Sequence, residues 1–167
     1  IISTGMASID EIAEAYNTAK KNGCRDITLL YCVSNYPSKI SDFNLNNIKI
    51  LKEKFNCRVG LSDHSLGSSI ASLAISMGAE IIEKHICLNN TKSVDSKFSL
   101  NENKISKFRN DINSAHKLIK NNNFVRSKDE IKNKIFRRSI FAIKDIKKGE
   151  KFLISNIKTY RPNLGLS

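Results

Sequence analysis

The sequence has no apolar run that approaches the ~18 residues of a membrane-spanning helix, so we expect no membrane contact. Its first residues, Ile1-Ile2-Ser3-Thr4, lack the basic residues of a signal peptide. The four cysteines stand singly, without the C-x-x-C spacing of a zinc ribbon, which favours reduced thiols and a cytoplasmic protein. With 40% apolar and 26% charged residues, the composition is globular.

Aromatic residues make up only 7% of the chain and are not interleaved with its basic residues, as a base-stacking surface would require. This weakens the nucleic-acid interpretation that a net charge of +12 invites. Residues 1–100 hold 11 basic and 10 acidic side chains, which leaves 17 and 6 of the total 28 and 16 for residues 101–167. We therefore favour a solvated basic surface, and expect no nucleic-acid partner.

Short apolar runs alternate with helical patterns along the first hundred residues. The runs are rich in Ile, Leu and Val, as in strands buried on both faces. The runs start at residues 1, 27, 58 and 80, so successive starts are 26, 31 and 22 residues apart. This spacing predicts four βα units with a parallel sheet, either half of an eight-fold barrel or a small open sheet. The strands are predicted at Ile1–Thr4, Ile27–Cys32, Arg58–Leu61 and Glu80–His85, and the helices at Ser8–Asn22, Asn44–Phe55, Gly67–Met77 and Asn103–Ile119.

A polar stretch separates these units from a different pattern. Residues 120–135 are rich in Asn and Lys and have no apolar period, which predicts a linker between a domain at 1–119 and a smaller one at 136–167. The smaller domain is predicted to hold strand-like segments at 139–143 and 156–161 and a turn at 147–150.

Polar or ionisable side chains follow each predicted strand, where parallel α/β folds place their active face. Two of the three histidines, His64 and His85, end neighbouring strands, and each lies close to an acid, Asp63 or Glu83. Two imidazoles without a thiolate set suit Mn²⁺, Fe²⁺ or Zn²⁺. The alternative is a pair of hydrogen-bonded structural histidines. His116, on the fourth helix, is predicted to be a partly exposed bystander.

The start of the first helix is marked by a capping box, in which Ser8 accepts from the amide of Glu11 and the carboxylate of Glu11 reaches back to Ser8. The preceding segment, Ser3-Thr4-Gly5, offers hydroxyls and amides that could hold a phosphate. Such turns are also common in proteins that bind no phosphate, so the signal is weak.

Seven segments carry a family resemblance, among which GLSDH and EKH at this spacing are the most specific. The segments are IISTGMAS (1–8), CVSNYP (32–37), VGLSDHSLG (59–67), GAEIIEKH (78–85), VDSKFSL (94–100), RRSIFAIKDIKKGE (137–150) and YRPNLGL (160–166). Over nearly its whole length the sequence resembles the sialic acid synthase family, which includes N-acetylneuraminate, legionaminate and pseudaminate synthases. The last two segments resemble the start of that family's C-terminal antifreeze-like (SAF) domain.

The resemblance implies the second half of a (β/α)₈ TIM barrel followed by a truncated SAF domain. It implies condensation of phosphoenolpyruvate with an N-acetylated amino sugar to a nine-carbon ulosonic acid and phosphate, using Mn²⁺ or a similar divalent ion. It also implies a homodimer in which the SAF domain docks on the partner's barrel. In the family, lysines from the first half of the barrel supply charge for the phosphate. These 167 residues lack that half and are expected to be inactive alone.

Residue by residue, the resemblance assigns three kinds of role in the site. The catalytic metal ligands are His64 and His85; the phosphoenolpyruvate-binding residues are Ser3, Ser34 and Ser62; the sugar-binding residues are Tyr36, Asp95 and Arg161. Arg161 would reach into the site of a partner subunit and hold the N-acyl group of the sugar.

The sequence departs from the family pattern at two places, of which the first bears on the substrate and the second on the loop before Asp95. Cys-x-Ser-x-Tyr-Pro and VDSKFSL are closer to the pseudaminate branch than to the neuraminate branch, and Lys92-Ser93 replaces the usual glycine pair before Asp95. One alternative is a non-catalytic remnant or split-gene product of the same family. The alternative of another class is a basic nucleic-acid-binding module.

Overall fold

The computed structural model describes residues 1–89, 92–119 and 123–166. The chain divides into two compact units, Ile1–Lys120 and Asn121–Ser167. None of the helices in the described part is long and apolar enough to cross a membrane. All four cysteines are unpaired.

A four-stranded parallel sheet forms the centre of the first unit. Its strands pair in chain order, β1-β2-β3-β4, with every neighbouring pair parallel. This order confirms the parallel sheet predicted from the apolar runs, and each strand overlaps its predicted segment. The strands are β1 (Ile2–Ser3), β2 (Thr28–Cys32), β3 (Arg58–Asp63) and β4 (Ile81–Lys84).

Helices follow the strands as the apolar spacing predicts. Two of them end at residues with left-handed backbone, because Gly23 follows the first at φ +91° and Asn56 caps the second at φ +45°. The helices are α1 (Ile9–Lys21), α2 (Asn46–Phe55), α3 (Ser69–Ser76) and α4 (Ile105–Leu118).

The first three helices cover one face of the sheet. The apolar side chains of the helices and of the sheet form a buried layer between them. Burial of each large aliphatic side chain in this layer contributes about 1.5–3 kcal/mol to the free energy of unfolding. The layer contains Ile12, Tyr16, Ile48, Leu51, Ile70 and Ala74 from the helices and Leu29, Tyr31, Val59 and Leu61 from the strands. Helix α4 is tied to the start of α3, since Ser68 donates to Asp111 at 2.6 Å. This hydrogen bond, with that from Lys107, lowers the pKa of Asp111.

Because side chains alternate along a strand, the other face of the sheet carries a different set of residues. On β3 it carries Gly60 and Ser62, and the register aligns these with Ile81 and Glu83 of β4. We call this side the open face, because in the described part of the chain no helix is packed on it. A Cβ added at Gly60 would lie 2.4 Å from the carbonyl oxygen of Ile81, so the two strands approach closely there.

Acid is expected to weaken the start of α1. The amide of Ser8 donates to the carboxylate of Glu11 at 2.7 Å and the amide of Glu11 donates to the hydroxyl of Ser8, and these bonds lower the pKa of Glu11 from its ordinary 4.5. A carboxylate with a lowered pKa stabilises the folded state above its unfolded-state pKa, and that contribution is lost as the pH falls through the folded-state pKa. Below pH 4.5, the melting temperature of the Glu11→Gln variant should therefore fall less steeply with decreasing pH than that of the natural protein.

The control for this measurement is Glu14→Gln, on the same helix but outside the capping box. Thermal unfolding from about pH 3 to pH 6 compares the two variants with the natural protein. Equal slopes for Glu11→Gln and the natural protein would show that the capping box contributes nothing to acid sensitivity.

The segment after β4 contains two strands that the sequence analysis did not predict. β5 (Ile86–Cys87) and β6 (Leu100–Asn101) form a two-residue parallel ladder, and a 3₁₀ helix at Val94–Lys97 lies between them in the chain. The amide of Leu100 donates to the carbonyl of His85 at 2.7 Å. This bond brings the segment back to the end of β4.

The second unit holds an antiparallel pair of strands, β7 (Ser139–Ala142) and β8 (Ile157–Tyr160), close to the predicted positions. The hydroxyl of Ser139 donates to the carbonyl of Pro162 and accepts from the amide of Gly165. Part of the predicted linker is helical instead, because Ser127 caps α5 (Lys128–Lys132) and a 3₁₀ helix follows at Asn133–Phe136. Residues 120–122 of the linker lie outside the described residues.

Candidate active site

The two histidines predicted as metal ligands lie side by side. Asp63 and Lys84 pair at the last rung between β3 and β4, and His64 and His85 follow them directly. The centroids of the two imidazole rings are 5.2 Å apart. His64 is 4% exposed, whereas the side chain of His85 is 39% exposed. One imidazole is therefore held in the interior and the other borders solvent.

The surroundings of His64 fix the position of its proton. Its Nδ1 lies 3.0 Å from the carbonyl oxygen of Val33, and 3.9 Å from the sulfur of Cys32. A carbonyl oxygen only accepts hydrogen bonds, so Nδ1 carries a proton, and in the neutral ring this leaves the lone pair on Nε2. Metal-binding histidines in proteins have this arrangement, with the second ring nitrogen held by a carbonyl or carboxylate.

His85 has an acidic neighbour at the same ring nitrogen. Its Nδ1 lies 3.6 Å from Oδ2 of Asp95, which is too long for a hydrogen bond but close enough for an electrostatic contact. Asp95 lies in the 3₁₀ helix after β5. The carboxylate thus orients the imidazole with Nε2 directed away from it, as at His64.

Two further aromatic rings complete what we call the aromatic cluster: Tyr36, His64, His85 and Phe98. The Tyr36 ring lies 4.3 Å from that of His64 and 5.2 Å from that of Phe98, and Phe98 lies 5.1 Å from His85. Phe98 is only 6% exposed. Phe98 was assigned no role from the sequence, although it belongs to the VDSKFSL segment that carried the resemblance.

A cleft of about 590 Å³ lies beside the aromatic cluster. Apolar surface from Tyr36, Val94 and Phe98 meets polar groups from Asp95, Lys97 and His85 in its lining. Such a lining can hold a ligand with both apolar groups and hydroxyls. Tyr36 and Asp95, predicted near the sugar, both line this cleft.

The three predicted phosphoenolpyruvate-binding serines share the open face but lie at different levels. Ser3 pairs with Leu30, and Ser62 pairs with Cys32 two residues further along β2. Ser34 lies beyond Cys32, against Gly5, where an added Cβ would be 2.2 Å from the Ser34 hydroxyl oxygen. Ser62 is buried and donates to Glu83 at 2.7 Å.

The start of α1 is less open to a phosphate than the sequence analysis allowed. Thr4 is buried and its hydroxyl donates to the carbonyl of Leu30 at 3.0 Å. The amide of Ser8 is bound by the carboxylate of Glu11 at 2.7 Å. A carboxylate already occupies the positive end of this helix, and this disfavours a second anion there.

The two acids next to the histidines in sequence lie on opposite faces of the sheet. Glu83 is on the open face with Ser62. Asp63 is on the helix-covered side, where it pairs with Lys84 at 2.7 Å. Sequence adjacency to His64 therefore does not place the carboxylate of Asp63 beside the imidazole.

The donor set of this site fits a divalent cation that takes its other ligands from substrate and water. Among the described residues there is no group of three or more His, Cys, Asp or Glu side chains that could hold a metal ion. Nδ1 of His64 is hydrogen-bonded to a carbonyl oxygen and Nδ1 of His85 lies near a carboxylate oxygen, so Nε2 is the nitrogen on each ring that could bind a metal ion through its lone pair. His116 is exposed on α4, as predicted.

Arg161 belongs to the second unit. There it lies just after β8, and with Arg138 and Lys158 it lines a basic cleft of about 450 Å³. The lining of this cleft contains no acidic residue, so its basic side chains can donate hydrogen bonds to an anionic or carbonyl group.

The first unit is an α/β fold, with a parallel sheet and helices on one face. Imidazoles, hydroxyls and carboxylates lie at the carboxyl ends of its strands, where proteins of this class have their active sites. The comparison with known families gives the particular class. The NeuB family pattern matches residues 1–123, and the chain belongs to that family.

Several relatives are named as pseudaminic acid or N,N'-diacetyllegionaminic acid synthases. The chain is 41% identical over 167 residues to the pseudaminic acid synthase of Campylobacter jejuni (serotype O:2), covering 99% of this chain and 49% of that protein. It is 42% identical over 171 residues to the N,N'-diacetyllegionaminic acid synthase of the same organism, covering 100% and 51%. The chain therefore spans about half the length of the curated relatives it matches.

Among solved structures, the chain is similar to the N-acetylneuraminic acid (sialic acid) synthetase of Leptospira borgpetersenii, solved in complex with citrate. The TM-score is 0.71 at 35% identity, over 79% of this chain and 47% of that one. The family resemblance seen in the sequence is thereby confirmed.

Proposed function

We propose that the chain forms the metal-binding half of the active site of a sialic-acid-type synthase, which condenses phosphoenolpyruvate with an N-acetylated amino sugar to a nine-carbon ulosonic acid and phosphate. The four strands would form one half of a (β/α)₈ barrel, and the second unit the start of an SAF domain. The observation that carries this proposal is the pair of imidazoles 5.2 Å apart at neighbouring strand ends.

His64 and His85 would hold the divalent ion, for which we propose Mn²⁺, through their Nε2 atoms. When bound, such an ion supplies Lewis-acid chemistry at the aldehyde oxygen of the sugar. Neighbouring residues of the chain hold the two imidazoles in position. The carbonyl of Val33 holds the proton of His64 on Nδ1, the ring of Tyr36 packs against His64, and the ring of Phe98 packs against His85.

The lining of the cleft supports an acetylated amino sugar as the second substrate. Apolar surface from Phe98 and Val94 suits acetyl methyl groups, while Asp95 and Lys97 can bind hydroxyls. We favour a pseudaminate-type substrate on the Cys-x-Ser-x-Tyr-Pro and VDSKFSL segments, since identities of 41% and 42% to pseudaminic and legionaminic acid synthases do not discriminate. Ser3, Ser34 and Ser62 would contact phosphoenolpyruvate on the open face.

The test is a condensation assay on the natural protein that carries this sequence. With phosphoenolpyruvate, Mn²⁺ and a panel of six-carbon sugars bearing one or two acetamido groups, we expect equal amounts of phosphate and a nine-carbon keto acid, measured by colorimetry and mass spectrometry. A preference for a sugar with two acetamido groups over a sugar with one would favour a pseudaminate-type substrate over an N-acetylneuraminate-type substrate. Phosphate release that does not depend on the sugar would contradict the proposal.

Arg161→Ala is expected to weaken sugar use by about tenfold or more, with metal and phosphoenolpyruvate binding unchanged. A guanidinium donates to an acyl carbonyl in fixed geometry, and loss of such a charged hydrogen bond costs about 1.5–3 kcal/mol. The ratio kcat/KM for the sugar measures the effect. Lys158→Ala, in the same basic cleft, is the matched control and should change it less.

The proposal that Arg161 acts on a partner subunit has its own test. Mixing Arg161→Ala protein with His64→Ala protein should restore activity, because a hybrid dimer would contain one intact composite site. If subunits exchange and no activity returns, Arg161 acts within its own subunit or not at all.

A further inference from the structure

The rung directly before the two histidines holds a buried ion pair. Nζ of Lys84 lies 2.7 Å from Oδ2 of Asp63, and the two side chains are 5% and 0% exposed. Asp63 and Lys84 are register partners, so the pair joins β3 to β4 one residue before His64 and His85. We propose that this pair positions the imidazoles of His64 and His85 relative to each other, an inference that rests on their proposed role as cation ligands.

Further hydrogen bonds extend the pair to the residue beyond His64. Lys84 also donates to the carbonyl of Ser65 at 2.6 Å. The other carboxylate oxygen of Asp63 accepts from the amide and the hydroxyl of Ser65, at 2.9 and 2.6 Å. The chain is thus held on both sides of His64 by a lysine that immediately precedes His85.

The lysine is not accessible to a substrate, because its side chain is only 5% exposed. Two of its three N–H groups are used by Asp63 and Ser65, and the ammonium lies 5.4 Å from the centre of the Phe108 ring of α4. The pair also lies on the helix-covered side of the sheet, away from the open face. Lys84 and Asp63 therefore act through the histidines and not on the reacting atoms.

Stability alone does not account for such a pair. The cost of removing two charges from water commonly equals or exceeds their attraction, and apolar replacements of similar volume are often neutral or stabilising. Apolar side chains make no hydrogen bonds, so they cannot fix the orientation of one strand end relative to the other. The pair gives the strand ends a defined geometry at the point where two ligands must converge.

The experiment separates metal geometry from folding in the natural protein. Asp63→Leu with Lys84→Met keeps the volume and removes both charges. We expect about tenfold weaker Mn²⁺ binding, measured by the electron paramagnetic resonance of free Mn²⁺, with a melting temperature close to that of the natural protein. Lys52→Met with Glu80→Leu, which removes the exposed pair at 3.1 Å between α2 and the start of β4, should leave Mn²⁺ binding unchanged.

Natural Mn²⁺ affinity in a folded Asp63→Leu/Lys84→Met protein would overturn the inference. If that variant does not fold, Ser65→Ala decides, because it removes one hydroxyl bond to Asp63 and leaves the ion pair in place. It should weaken Mn²⁺ binding by about threefold at nearly natural stability. Natural affinity in Ser65→Ala would then overturn the inference.

A metal-free measurement keeps this inference separate from the proposed function. In ¹⁵N spectra of the imidazoles, His64 of the natural protein should be protonated at Nδ1, and the doubly substituted protein should show a mixture of tautomers. Unchanged tautomers would count against positioning by the ion pair. Absence of Mn²⁺ binding in the natural protein, with the tautomer change present, would count against the proposed function alone.

Discussion

Replacement of either His64 or His85 by alanine is expected to abolish nearly all divalent-ion binding and condensation. The described part of the chain offers no third side chain in a ligand group with these two imidazoles. A site with two protein ligands cannot lose one and keep its ion. Since loss of an outer partner of a ligand already costs 10- to 100-fold in affinity, loss of a ligand should cost about 100-fold or more.

His116→Ala is the matched control, because this exposed histidine lies on α4 outside the aromatic cluster. Mn²⁺ titration and initial rates should be the same as for the natural protein. Turnover near the natural rate in His64→Ala or His85→Ala, with the ion still bound, would remove these residues from the metal site.

Gly60→Ala is expected to prevent normal folding of the sheet. The new methyl group would lie 2.4 Å from the carbonyl oxygen of Ile81 and 2.6 Å from a methyl carbon of Leu30. Leu30 can rotate, but the carbonyl belongs to the backbone of β4 and cannot move without breaking the β3–β4 ladder. Overpacking costs about 1–3 kcal/mol even where side chains can adjust, and a backbone clash should cost more.

Gly67→Ala provides the comparison. Gly67 has φ +79° and open space around its Cα, so alanine there meets only left-handed backbone strain of about 1–2 kcal/mol. Soluble yield and urea unfolding of the two variants measure the difference. A Gly60→Ala protein as stable as Gly67→Ala would show that β3 and β4 are less closely packed than described.

The sheet and its helices were predictable because each relies on a local signal. The four apolar runs, the capping box at Ser8 and the left-handed stop at Gly23 all lie within a few residues of the elements they define. The ladder of Ile86 and Leu100 was missed because its strands are two residues long and lie on either side of a polar segment. Short pairing of this kind depends on tertiary packing, which no apolar period reports.

The proximity of the two histidines was predictable from the sequence, but the contacts around them were less so. His64 and His85 could be predicted to lie close together, because each follows a strand and parallel strands bring their carboxyl ends to one edge of the sheet. The opposite directions of Asp63 and Glu83 follow from their register, which the sequence alone left open. Phe98 was overlooked because an isolated phenylalanine in a polar segment has the pattern of an ordinary buried residue.

The alternation along β3 has a practical consequence for protein engineering. Val59 and Leu61 face the helices, while Gly60 and Ser62 lie on the open face, where we propose that the substrate binds. A library that varies the apolar odd-numbered positions can therefore search for heat resistance without altering the proposed substrate contacts. Asp63 is also odd-numbered and faces the helices. It should nevertheless be left unchanged, because we propose that it positions the two histidines.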